Sequence, residues 1–578
     1  MKKNIRKRGQ RFIRKFSRAS AKASEESRDH IKENLIGRFS HIASIRLLIL
    51  EWSLMVLALT MLAVAQAFWL GDSYAENTFI SGGTYMEATI GDVNSLNPLF
   101  ATTSSEKTLS RLMFATIVAN DYSGHTGIGL ADSVTHDESG KVWSVHLREG
   151  LKWSDGEPIT NEDVIFTAEL VKNPAVNTGY DSNLSNVKVS EDENGRVVFE
   201  LPASYADFDS ALNIPVVPKH VLENVDPKTL IEASFSTSPV TSGAFSFNAV
   251  QTGAKADEKI YYLSASSNYY KGRPTLSSFA VHTYKDKYGV ADAINSSTVT
   301  ATAELYGADL ELVTSNHFDY KQSSLNSGAF IFFNTMSEGA SNAGLRAAIR
   351  EGIDLAKIRE AAPETQPLDY PLLKSQITLS NYPELPVHNF ESAKTKIAEI
   401  AAGQPLHLNV ATVNSGYLPG VADAVAEELR ALGFEVDVSK YDENQDFVSN
   451  VISKRNYDVL VYEVELGADP DLLPYYHSTQ ASATGLNLSN YRNALVDDLL
   501  LGARDSMDEA LRIKKYETFL NYWVTGTPAI ALYQPNLTYI YNRNVRTYGN
   551  GVRLVTALDR FVDIEDWATS KGTKYKTP

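Results

Sequence analysis

The sequence predicts a mixed α/β protein with more than one packed lobe, preceded by a single apolar helix. Short runs rich in β-branched and aromatic residues alternate with segments of helical periodicity, which is typical of the α/β class. The chain has 578 residues, 43% of them hydrophobic and 21% charged, which is enough for several hydrophobic cores. A run of 24 residues at 47–70, interrupted by the strongly polar Glu51 and Gln66, predicts the apolar helix.

The apolar helix is long enough to cross a membrane, because 24 residues at about 1.5 Å each exceed a bilayer core of about 30 Å. Trp52 and Trp69 lie where interfacial aromatic residues are favoured. Residues 1–46 contain 14 Lys or Arg against four acids, and the positive-inside rule leaves such a segment in the cytoplasm. We therefore predict a basic cytoplasmic arm at 1–46, a transmembrane anchor at 47–70 and a polar tether at 71–78. The rest of the chain is then extracytoplasmic and the protein is a single-pass protein of the cell membrane.

A cleaved signal peptide is the alternative interpretation of the apolar helix. The segment "AVAQA" contains the small-x-small pattern of a cleavage site at Ala63, Ala65 and Ala67. The basic region before it is much longer than in an ordinary signal peptide, which favours an uncleaved anchor. The arm itself would then hold anionic membrane lipid or only fix the topology.

Composition excludes several classes of site. The chain has no cysteine, so a disulfide framework, a thiolate zinc site, a cysteine nucleophile and a lipidated cysteine are all impossible. Beyond residue 70 the chain carries 40 basic and 65 acidic residues, a formal charge of −25. Such a surface argues against nucleic acid as a partner. It keeps a protein soluble and also favours cationic ligands.

Nine short runs have the composition of β-strands. They are "TYMEATI" (84–90), "VWSVHLR" (142–148), "RVVFEL" (196–201), "IYYLSAS" (260–266), "FAVHTY" (279–284), "FIFFN" (330–334), "LHLNVAT" (406–412), "FEVDVSK" (434–440) and "YDVLVYEVEL" (457–466). Five segments between them have helical periodicity. They are "NEDVIFTAELV" (161–171), "GLRAAIREGI" (344–353), "FESAKTKIAEIAA" (390–402), "VADAVAEELRALG" (421–433) and "ALRIKKYETFLNYWV" (510–524).

The segment 406–440 predicts one β-α-β unit with parallel strands. The apolar residues of its helix fall on one face, and Gly433 follows as a helix stop; that face comprises Val421, Ala424, Val425, Leu429 and Leu432. A strand, a helix and a strand within about 35 residues form a right-handed crossover.

The acid-rich segment at 147–171, "LREGLKWSDGEPITNEDVIFTAELV", resembles an active site at first sight. Thr160 can cap the helix that begins at Asn161, and Asp163 stands at the third helical position, where a capping box places an acid. Asp155 belongs to an Asp-Gly turn before that helix. We therefore interpret these acids as architecture and not as a catalytic cluster.

This segment also carries a resemblance to a known family. "HLREGLKWSDGEPITNEDVIFTAELV" is similar to the signature segment of the extracytoplasmic solute-binding proteins of family 5, the peptide, dipeptide and nickel binders that serve ABC importers. Further segments resemble the same family in the same order along about 490 residues. They are "GGTYMEATIGDVNSLNPLF", "IPVVPKH", "SPVTSGAFSF", "SASSNYYKGRPTLSSFAVHTY", "FIFFNTMSEGASNAGLRAAIREGID", "YDVLVYEVELGADPD", "PAIALYQPNLTYIYNRNV" and "RFVDIEDWA".

The resemblance implies a two-lobe clamp like the periplasmic binding proteins, of type II, with an extra domain in lobe I. Ligand lies between lobes that close about a hinge. On this chain, the resemblance places lobe I at 79–120, 236–325 and 536–570. It places the extra domain at 121–235 and lobe II at 326–535.

The resemblance also implies where a ligand would bind. In peptide-binding relatives an acid in this position faces the peptide's terminal ammonium, and here it is Asp469 in "GADPD"; the alternative is that Asp469 only shapes a turn. Leu466 stands where many relatives have a Trp that stacks on ligand. Glu463 lies in a region that is basic in some relatives, so an acidic residue here suggests that this chain binds a ligand of different charge from theirs. Tyr533 is a further candidate, as is the loop of Ala101, Thr102 and Thr103.

The leading hypothesis is a membrane-anchored receptor that captures a peptide or peptide-like solute and delivers it to the permease subunits of an ABC transporter. It needs no cofactor and no enzymatic chemistry. A receptor of the same fold that signals through the cytoplasmic arm is the alternative.

An enzyme is the third hypothesis, and its motifs are weak. Ser104 and Lys107 match the Ser-x-x-Lys pattern of penicillin-interacting enzymes, but the companion Ser-Asp-Asn and Lys-Thr-Gly motifs are missing. "GHTGIG" at 124–129 lacks the Gly-Lys-Ser/Thr ending of a phosphate loop. No His or carboxylate cluster has metal-binding spacing, although a nickel or haem ligand held by one of the 11 His stays open. We therefore expect a binding protein without catalytic residues.

Overall fold

The computed structural model describes residues 28, 46–176, 178, 180, 184, 186–253, 258–442 and 447–575. The chain divides into two compact units, Met1–Thr78 with Lys571–Pro578, and Phe79–Ser570. Apart from Arg28 and Arg46, the predicted basic arm lies outside the described residues. Its role therefore stays a prediction.

The first unit contains the predicted apolar helix. Helix α1 (Arg46–Tyr74) includes one stretch, Leu47–Gln66, that is long and apolar enough to cross a membrane, with a mean hydropathy of 2.3. All side chains of this stretch are exposed. The polar tether predicted at 71–78 is not irregular, because the helix continues to Tyr74 and strand β1 (Ala75–Ile80) follows at once. Once a helix is nucleated, each added residue gains a hydrogen bond, so a helix can extend beyond its apolar run.

The second unit contains the strands β2 to β20. They are β2 (Thr84–Ile90), β3 (Val118–Asn120), β4 (Thr126–Ile128), β5 (Ala131–His136), β6 (Val142–Leu147), β7 (Lys188–Glu191), β8 (Val197–Glu200), β9 (Phe245–Thr252), β10 (Lys259–Ala265), β11 (Ser278–Tyr284), β12 (Ala301–Thr302), β13 (Phe318–Ser324), β14 (Ser327–Phe333), β15 (Gln366–Pro367), β16 (His407–Val413), β17 (Glu435–Tyr441), β18 (Val459–Glu465), β19 (Ala529–Gln534) and β20 (Asn536–Asn542). A last strand, β21 (Ser570–Tyr575), pairs with β1.

The helices of the second unit lie between these strands. They are α2 (Ser104–Met113), α3 (Asn161–Lys172), α4 (Lys219–Leu222), α5 (Lys287–Asn295), α6 (Ala343–Gly352), α7 (Leu355–Arg359), α8 (Phe390–Ala401), α9 (Leu418–Ala431), α10 (Leu473–Tyr476), α11 (Ala494–Arg504) and α12 (Glu509–Gly526). All nine predicted strands and all five predicted helices overlap an element of the structure.

Three sheets organise the second unit. A seven-stranded sheet with the order β13-β20-β12-β2-β11-β10-β9 forms the part that we call lobe I. A six-stranded sheet with the order β15-β19-β14-β18-β16-β17 forms lobe II. A four-stranded antiparallel sheet with the order β5-β6-β8-β7 forms the extra domain. Lobe II has its own hydrophobic core, whereas lobe I and the extra domain share a second core.

The predicted β-α-β unit has the expected geometry. Strands β16 and β17 are parallel, with His407 opposite Glu435. The apolar face of α9 is buried in the core of lobe II, with Ala424 only partly buried. Gly433 has a φ of +105°, a left-handed conformation that suits glycine and ends the helix.

The acid-rich segment at 147–171 is architecture, as predicted. The Asp163 carboxylate accepts hydrogen bonds from the backbone N–H of Thr160 at 2.9 Å and of Lys219 at 2.8 Å. Glu162 forms an ion pair with the Lys219 ammonium at 2.8 Å. Asp155 contacts His220 Nε2 at 2.9 Å. These acids therefore fix α3 to the start of α4.

Lobe I is held together by a buried ion pair. Both side chains, Glu87 on β2 and Arg560 near the C-terminal end, are almost fully buried, with Arg560 Nη2 2.6 Å from Glu87 Oε1. The Tyr539 hydroxyl on β20 donates a hydrogen bond to Glu87 Oε2 at 2.8 Å. The pair thus joins three segments that are far apart in the chain.

We predict that Arg560→Met destabilises the second unit by about 3–5 kcal/mol, because it leaves the Glu87 carboxylate buried without its cation. Urea unfolding followed by circular dichroism measures this loss. Arg543→Met is the matched control, since Arg543 and Asp319 form an ion pair at 2.8 Å with both side chains about half exposed. That control should lose less than about 1 kcal/mol, and equal losses in the two variants would contradict the prediction.

Candidate functional site

The chain passes twice between the two lobes, and these crossings define the candidate site. Strand β13 of lobe I leads into β14 of lobe II, and β19 of lobe II leads back into β20 of lobe I. The N–H of Leu325 in the first crossing donates to the carbonyl of Pro535 in the second at 3.0 Å. The ends of the lobe II strands nearest the crossings therefore face lobe I, and these ends include Glu463 and Tyr533.

Glu463 and Tyr533 are brought together by this arrangement. The Tyr533 hydroxyl donates a hydrogen bond to Glu463 Oε1 at 2.9 Å. Burial raises the pKa of Tyr533 well above its usual value, and the Glu463 carboxylate raises it further. The Tyr533 ring also meets the Tyr417 ring edge to face, with centroids 6.5 Å apart. Two predicted site residues thus form one hydrogen-bonded group.

Asp469 lies at the junction between lobe II and the extra domain. Its Oδ1 accepts a hydrogen bond from the Asp471 N–H at 3.2 Å, which is a turn contact. Its Oδ2 accepts a hydrogen bond from the hydroxyl of Ser210, in the extra domain. The second oxygen is therefore directed away from the turn and towards the other side of the junction.

Burial raises the pKa of the Asp469 carboxyl to about 7, and the neighbouring Asp471 and Asp207 carboxylates contribute to the rise. Each of these two neighbours has a guanidinium partner. Arg504 Nε donates to Asp471 Oδ2 at 3.0 Å, and Arg512 Nη1 donates to Asp207 Oδ1 at 3.1 Å. Throughout the described ranges, no Lys or Arg lies within ion-pair distance of Asp469.

The same junction is held by contacts across it. The N–H of Ala206, in the extra domain, donates to the carbonyl of Arg504 in lobe II at 2.8 Å. The Tyr205 hydroxyl donates to Asp471 Oδ2 at 3.4 Å, and the Arg504 guanidinium lies over the Tyr205 ring at 4.8 Å. In this structure, the extra domain and lobe II are therefore in direct contact around Asp469.

Leu466 belongs to the core of lobe II. Its side chain is 5% exposed and lies in the hydrophobic cluster of that lobe. Its N–H donates to the carbonyl of Asn326 at 2.7 Å, and its carbonyl accepts from Gln376 Nε2 at 2.8 Å. The structure thus gives Leu466 a packing role and gives its backbone a role in holding the loop.

The loop of Ala101, Thr102 and Thr103 caps α2. Thr103 and Glu106 form a capping box, and the Glu106 carboxylate also accepts from the Thr102 N–H at 2.9 Å. Burial would raise the pKa of Glu106, but hydrogen bonds from these backbone N–H groups outweigh it and lower that pKa. The sequence "TSSE" at 103–106 is a capping-box motif, so this role was readable from the sequence.

A cavity of about 950 Å³ lies beside the two crossings, and sequence reasoning missed it. Segments of both lobes line it. Its uncharged polar side chains are carboxamides, hydroxyls and tyrosines, and Asp369, Lys374 and Arg553 add charged groups. The uncharged polar residues are Gln322, Ser323, Ser324, Asn326, Gln366, Tyr370, Ser375, Tyr382 and Gln534. The amide- and hydroxyl-rich run "QSSLN" at 322–326 was the one available signal in the sequence.

The cavity lining is connected to the Asp469 loop by hydrogen bonds. Asn326 Nδ2 donates to the carbonyl of Gly467 at 3.0 Å, and the Ser375 hydroxyl donates to Asn326 Oδ1 at 3.0 Å. The next residue, Gln376, donates from Nε2 to the carbonyl of Asp469 at 2.7 Å. The cavity and the loop therefore share one polar network.

The enzyme motifs do not form a catalytic arrangement. The Ser104 hydroxyl donates to the Glu304 carboxylate, and Ser104 is the first residue of α2. The segment 124–129 contributes the short strand β4 to a hairpin with β3. Among the residues that the structure describes, no group of three or more His, Asp or Glu could hold a metal ion.

Comparison with known proteins identifies the fold. The chain is 24% identical over 498 residues to the oligopeptide-binding protein AppA of Bacillus subtilis. The aligned region covers 81% of this chain and 89% of AppA. The solved structure of AppA with a nonapeptide has a TM-score of 0.71 at 21% identity, over 85% of this chain and 100% of AppA. The solved structure of the substrate-binding protein CtaP of Listeria monocytogenes has a TM-score of 0.74 at 21% identity. This match covers 85% of this chain and 99% of CtaP. The solved structure of NikZ of Campylobacter jejuni with Ni(L-His) has a TM-score of 0.71 at 21% identity. This match covers 84% of this chain and 99% of NikZ.

These likenesses confirm the α/β fold of the periplasmic-binding-protein type that the resemblance implied. The relatives are solute-binding proteins, which confirms that the chain is not an enzyme. The family profile described as bacterial extracellular solute-binding proteins, family 5 middle, matches residues 127–485, which is more than half of the chain. The chain therefore belongs to the bacterial extracellular solute-binding proteins of family 5.

Proposed function

We propose that this chain binds a peptide or a peptide-like solute between lobe I and lobe II and delivers it to an ABC importer. AppA of Bacillus subtilis is named an oligopeptide-binding protein, and its solved structure holds a nonapeptide. DppA of Helicobacter pylori is an ABC transporter-associated binding protein solved with the peptide STSA. The observation that carries the proposal is the polar cavity of about 950 Å³ between the lobes, at the upper end of the range for small-ligand pockets.

The lining of this cavity suits a peptide backbone. Carboxamide and hydroxyl groups both donate and accept hydrogen bonds, so they can pair with the N–H and C=O groups of a ligand whatever its side chains are. The Tyr370 and Tyr382 rings, with centroids 5.0 Å apart, add an apolar surface. Such hydrogen-bonding groups favour a broad class of ligands over a single one, although the lining also includes the charged Asp369, Lys374 and Arg553.

We further propose that Asp469 binds the terminal ammonium of the ligand. The junction around it carries the Asp207, Asp469 and Asp471 carboxylates against two guanidiniums, and both guanidiniums are used by the other two acids. A carboxyl with a pKa of about 7 is only half ionised at neutral pH, and a nearby cation stabilises its ionised form. An ammonium group is the cation that a peptide brings.

The apolar helix α1 supports a membrane anchor for this receptor. Its stretch Leu47–Gln66 spans 20 residues, and the basic residues before it favour a cytoplasmic N-terminus. The binding unit would then lie outside the membrane, close to the permease subunits of the transporter. The comparisons give no support to the alternative of a receptor that signals through the arm.

We predict that Asp469→Asn weakens binding of a peptide with a free N-terminus by about 30-fold, which corresponds to about 2 kcal/mol for a lost charged partner. Calorimetry with a peptide library first finds a ligand. It then measures the affinity of this ligand for the unsubstituted protein and for Asp469→Asn. The N-acetylated form of the same peptide should bind the two proteins equally. Asp498→Asn, an exposed acid on α11, is the matched control and should not change the affinity. An unchanged affinity in Asp469→Asn would contradict the ammonium site, and absence of any bound peptide would contradict the peptide function.

We predict that peptide binding releases protons near neutral pH. Without ligand, Asp469 with a pKa of about 7 is half protonated at pH 7, and an arriving ammonium lowers that pKa, so up to about half a proton leaves. The affinity should fall about fivefold from pH 7 to pH 6, because the protonated carboxyl must first ionise. Calorimetry in two buffers of different ionisation enthalpy measures the release. Asp469→Asn should abolish it, and the same release in that variant would assign the proton to another group.

We predict that the mature protein keeps residues 1–46. Mass spectrometry of the protein from native membranes should give the full-length mass, and carbonate washing should leave it in the membrane pellet, because a spanning helix resists extraction. An N-terminus near Phe68 would instead show that α1 is a cleaved signal peptide.

A further inference from the structure

A pair of tyrosines and a pair of glycines form a reciprocal contact between the two lobes. In lobe I, Tyr306 and Gly307 follow β12. In lobe II, Gly416 and Tyr417 precede α9, directly after Ser415. We call these five residues the clasp. Its residues follow β12 and β16 in the chain, and none of them is on the four strands that carry the two crossings.

Each tyrosine ring of the clasp covers the glycine of the other lobe. A Cβ added to Gly416 would overlap the Tyr306 ring, and a Cβ added to Gly307 would lie 2.9 Å from Tyr417 Cε1. Both glycines also have left-handed φ angles, +60° for Gly307 and +54° for Gly416. Glycine is therefore required at both positions, once for the backbone conformation and once for the ring that lies against it.

The clasp also contains a hydrogen bond. The hydroxyl groups of Tyr306 and Ser415 lie 2.7 Å apart, and this bond joins the lobes directly. Both side chains are only partly buried, so water can replace the bond when the lobes separate. The clasp is thus a contact that opening breaks at low cost.

The lobe II side of the clasp reaches the candidate site. The Tyr417 ring packs edge to face on the Tyr533 ring, and the Tyr533 hydroxyl donates to Glu463. Movement of Tyr417 therefore changes the packing around the Glu463 carboxylate. Closure of the lobes and the position of this acid are linked through two aromatic rings.

We propose that the clasp is a closure latch, which favours the closed arrangement of the lobes over the open one. The crossings cannot supply this preference alone, because the residues on them stay together whether the lobes are open or closed. The clasp residues come from opposite lobes, 109 positions apart for Tyr306 and Ser415, and meet only when the lobes do. The latch concerns the lobes themselves and holds whatever the ligand is.

A latch of this kind must be weak to be useful. A net hydrogen bond shifts an equilibrium by about fivefold, and the ring contacts add to that. A ligand must supply the rest of the closing free energy by binding the closed state more tightly. The lobes then close partly by themselves and fully with ligand.

Distance measurements between the lobes test the latch. The chain has no cysteine, so Lys285→Cys in lobe I and Glu427→Cys in lobe II, both exposed, place one spin label on each lobe. The experiment uses the full chain in lipid nanodiscs without added ligand. Ser415→Ala should lower the ratio of the short to the long distance about fivefold, and Tyr306→Ala at least tenfold.

Two further variants keep the test decisive. Tyr306→Phe keeps the ring and removes the hydroxyl, so it should behave like Ser415→Ala even if Tyr306→Ala folds poorly. Tyr288→Ala removes an exposed tyrosine of lobe I outside the clasp and should leave the distances unchanged. Unchanged distances in both Ser415→Ala and Tyr306→Phe would overturn the latch. Because no ligand is added, a failure of peptide binding leaves this result unaffected.

Discussion

The two crossings between the lobes are the constraint on which the rest of the second unit depends. They are tied to each other by the Leu325 N–H bond to Pro535 and by Gln534 Nε2, which donates to the Leu325 carbonyl at 2.7 Å. Because the two crossings are bonded to each other, they join the two sheets at one point. The strand ends beside the crossings are therefore held opposite each other, and they carry the loops that line the site.

The extra domain forms a second link between the parts of the second unit, because it contacts lobe II as well as lobe I. It shares its core with lobe I, yet Ser210 contacts Asp469 and Ala206 contacts Arg504, and both of these partners belong to lobe II. In this structure, acids from both sides of the junction thus form one cluster. Arg504 pairs with Asp471 and Arg512 pairs with Asp207, whereas Asp469 has no such partner among the described residues. Burial raises the pKa of both Asp207 and Asp469.

Much of the fold was predictable because strand and helix periodicity records which side chains are buried. Strands such as β2 and helices such as α9 follow from local pattern alone, and the parallel pairing of β16 with β17 follows from the length between them. The order of the lobes came from resemblance to a family. Their boundaries stay a prediction, because periodicity does not say which sheet a strand joins.

The site was less predictable, because its contacts join residues far apart in the chain. The partners Ser210 and Asp469 are 259 positions apart, and no local pattern in either segment indicates the other. The cavity beside the crossings has the same origin, since five separate segments line it. The capping role of Thr103, by contrast, follows from its local motif alone, and its role in ligand binding stays a prediction.

The charge at Asp469 and the clasp act in opposite directions on closure. When the lobes close without ligand, Asp469 loses water and gains only a hydroxyl donor, so closure opposes its ionisation. The clasp favours the same closure through one hydrogen bond and two ring contacts. In the proposed function, the ligand ammonium pairs with the Asp469 carboxylate, so closure no longer opposes the ionisation of Asp469. The clasp contacts still favour closure. A weak latch together with an acid that lacks a cationic partner would therefore make closure depend on the charge of the ligand, because a neutral ligand leaves the cost at Asp469 in place.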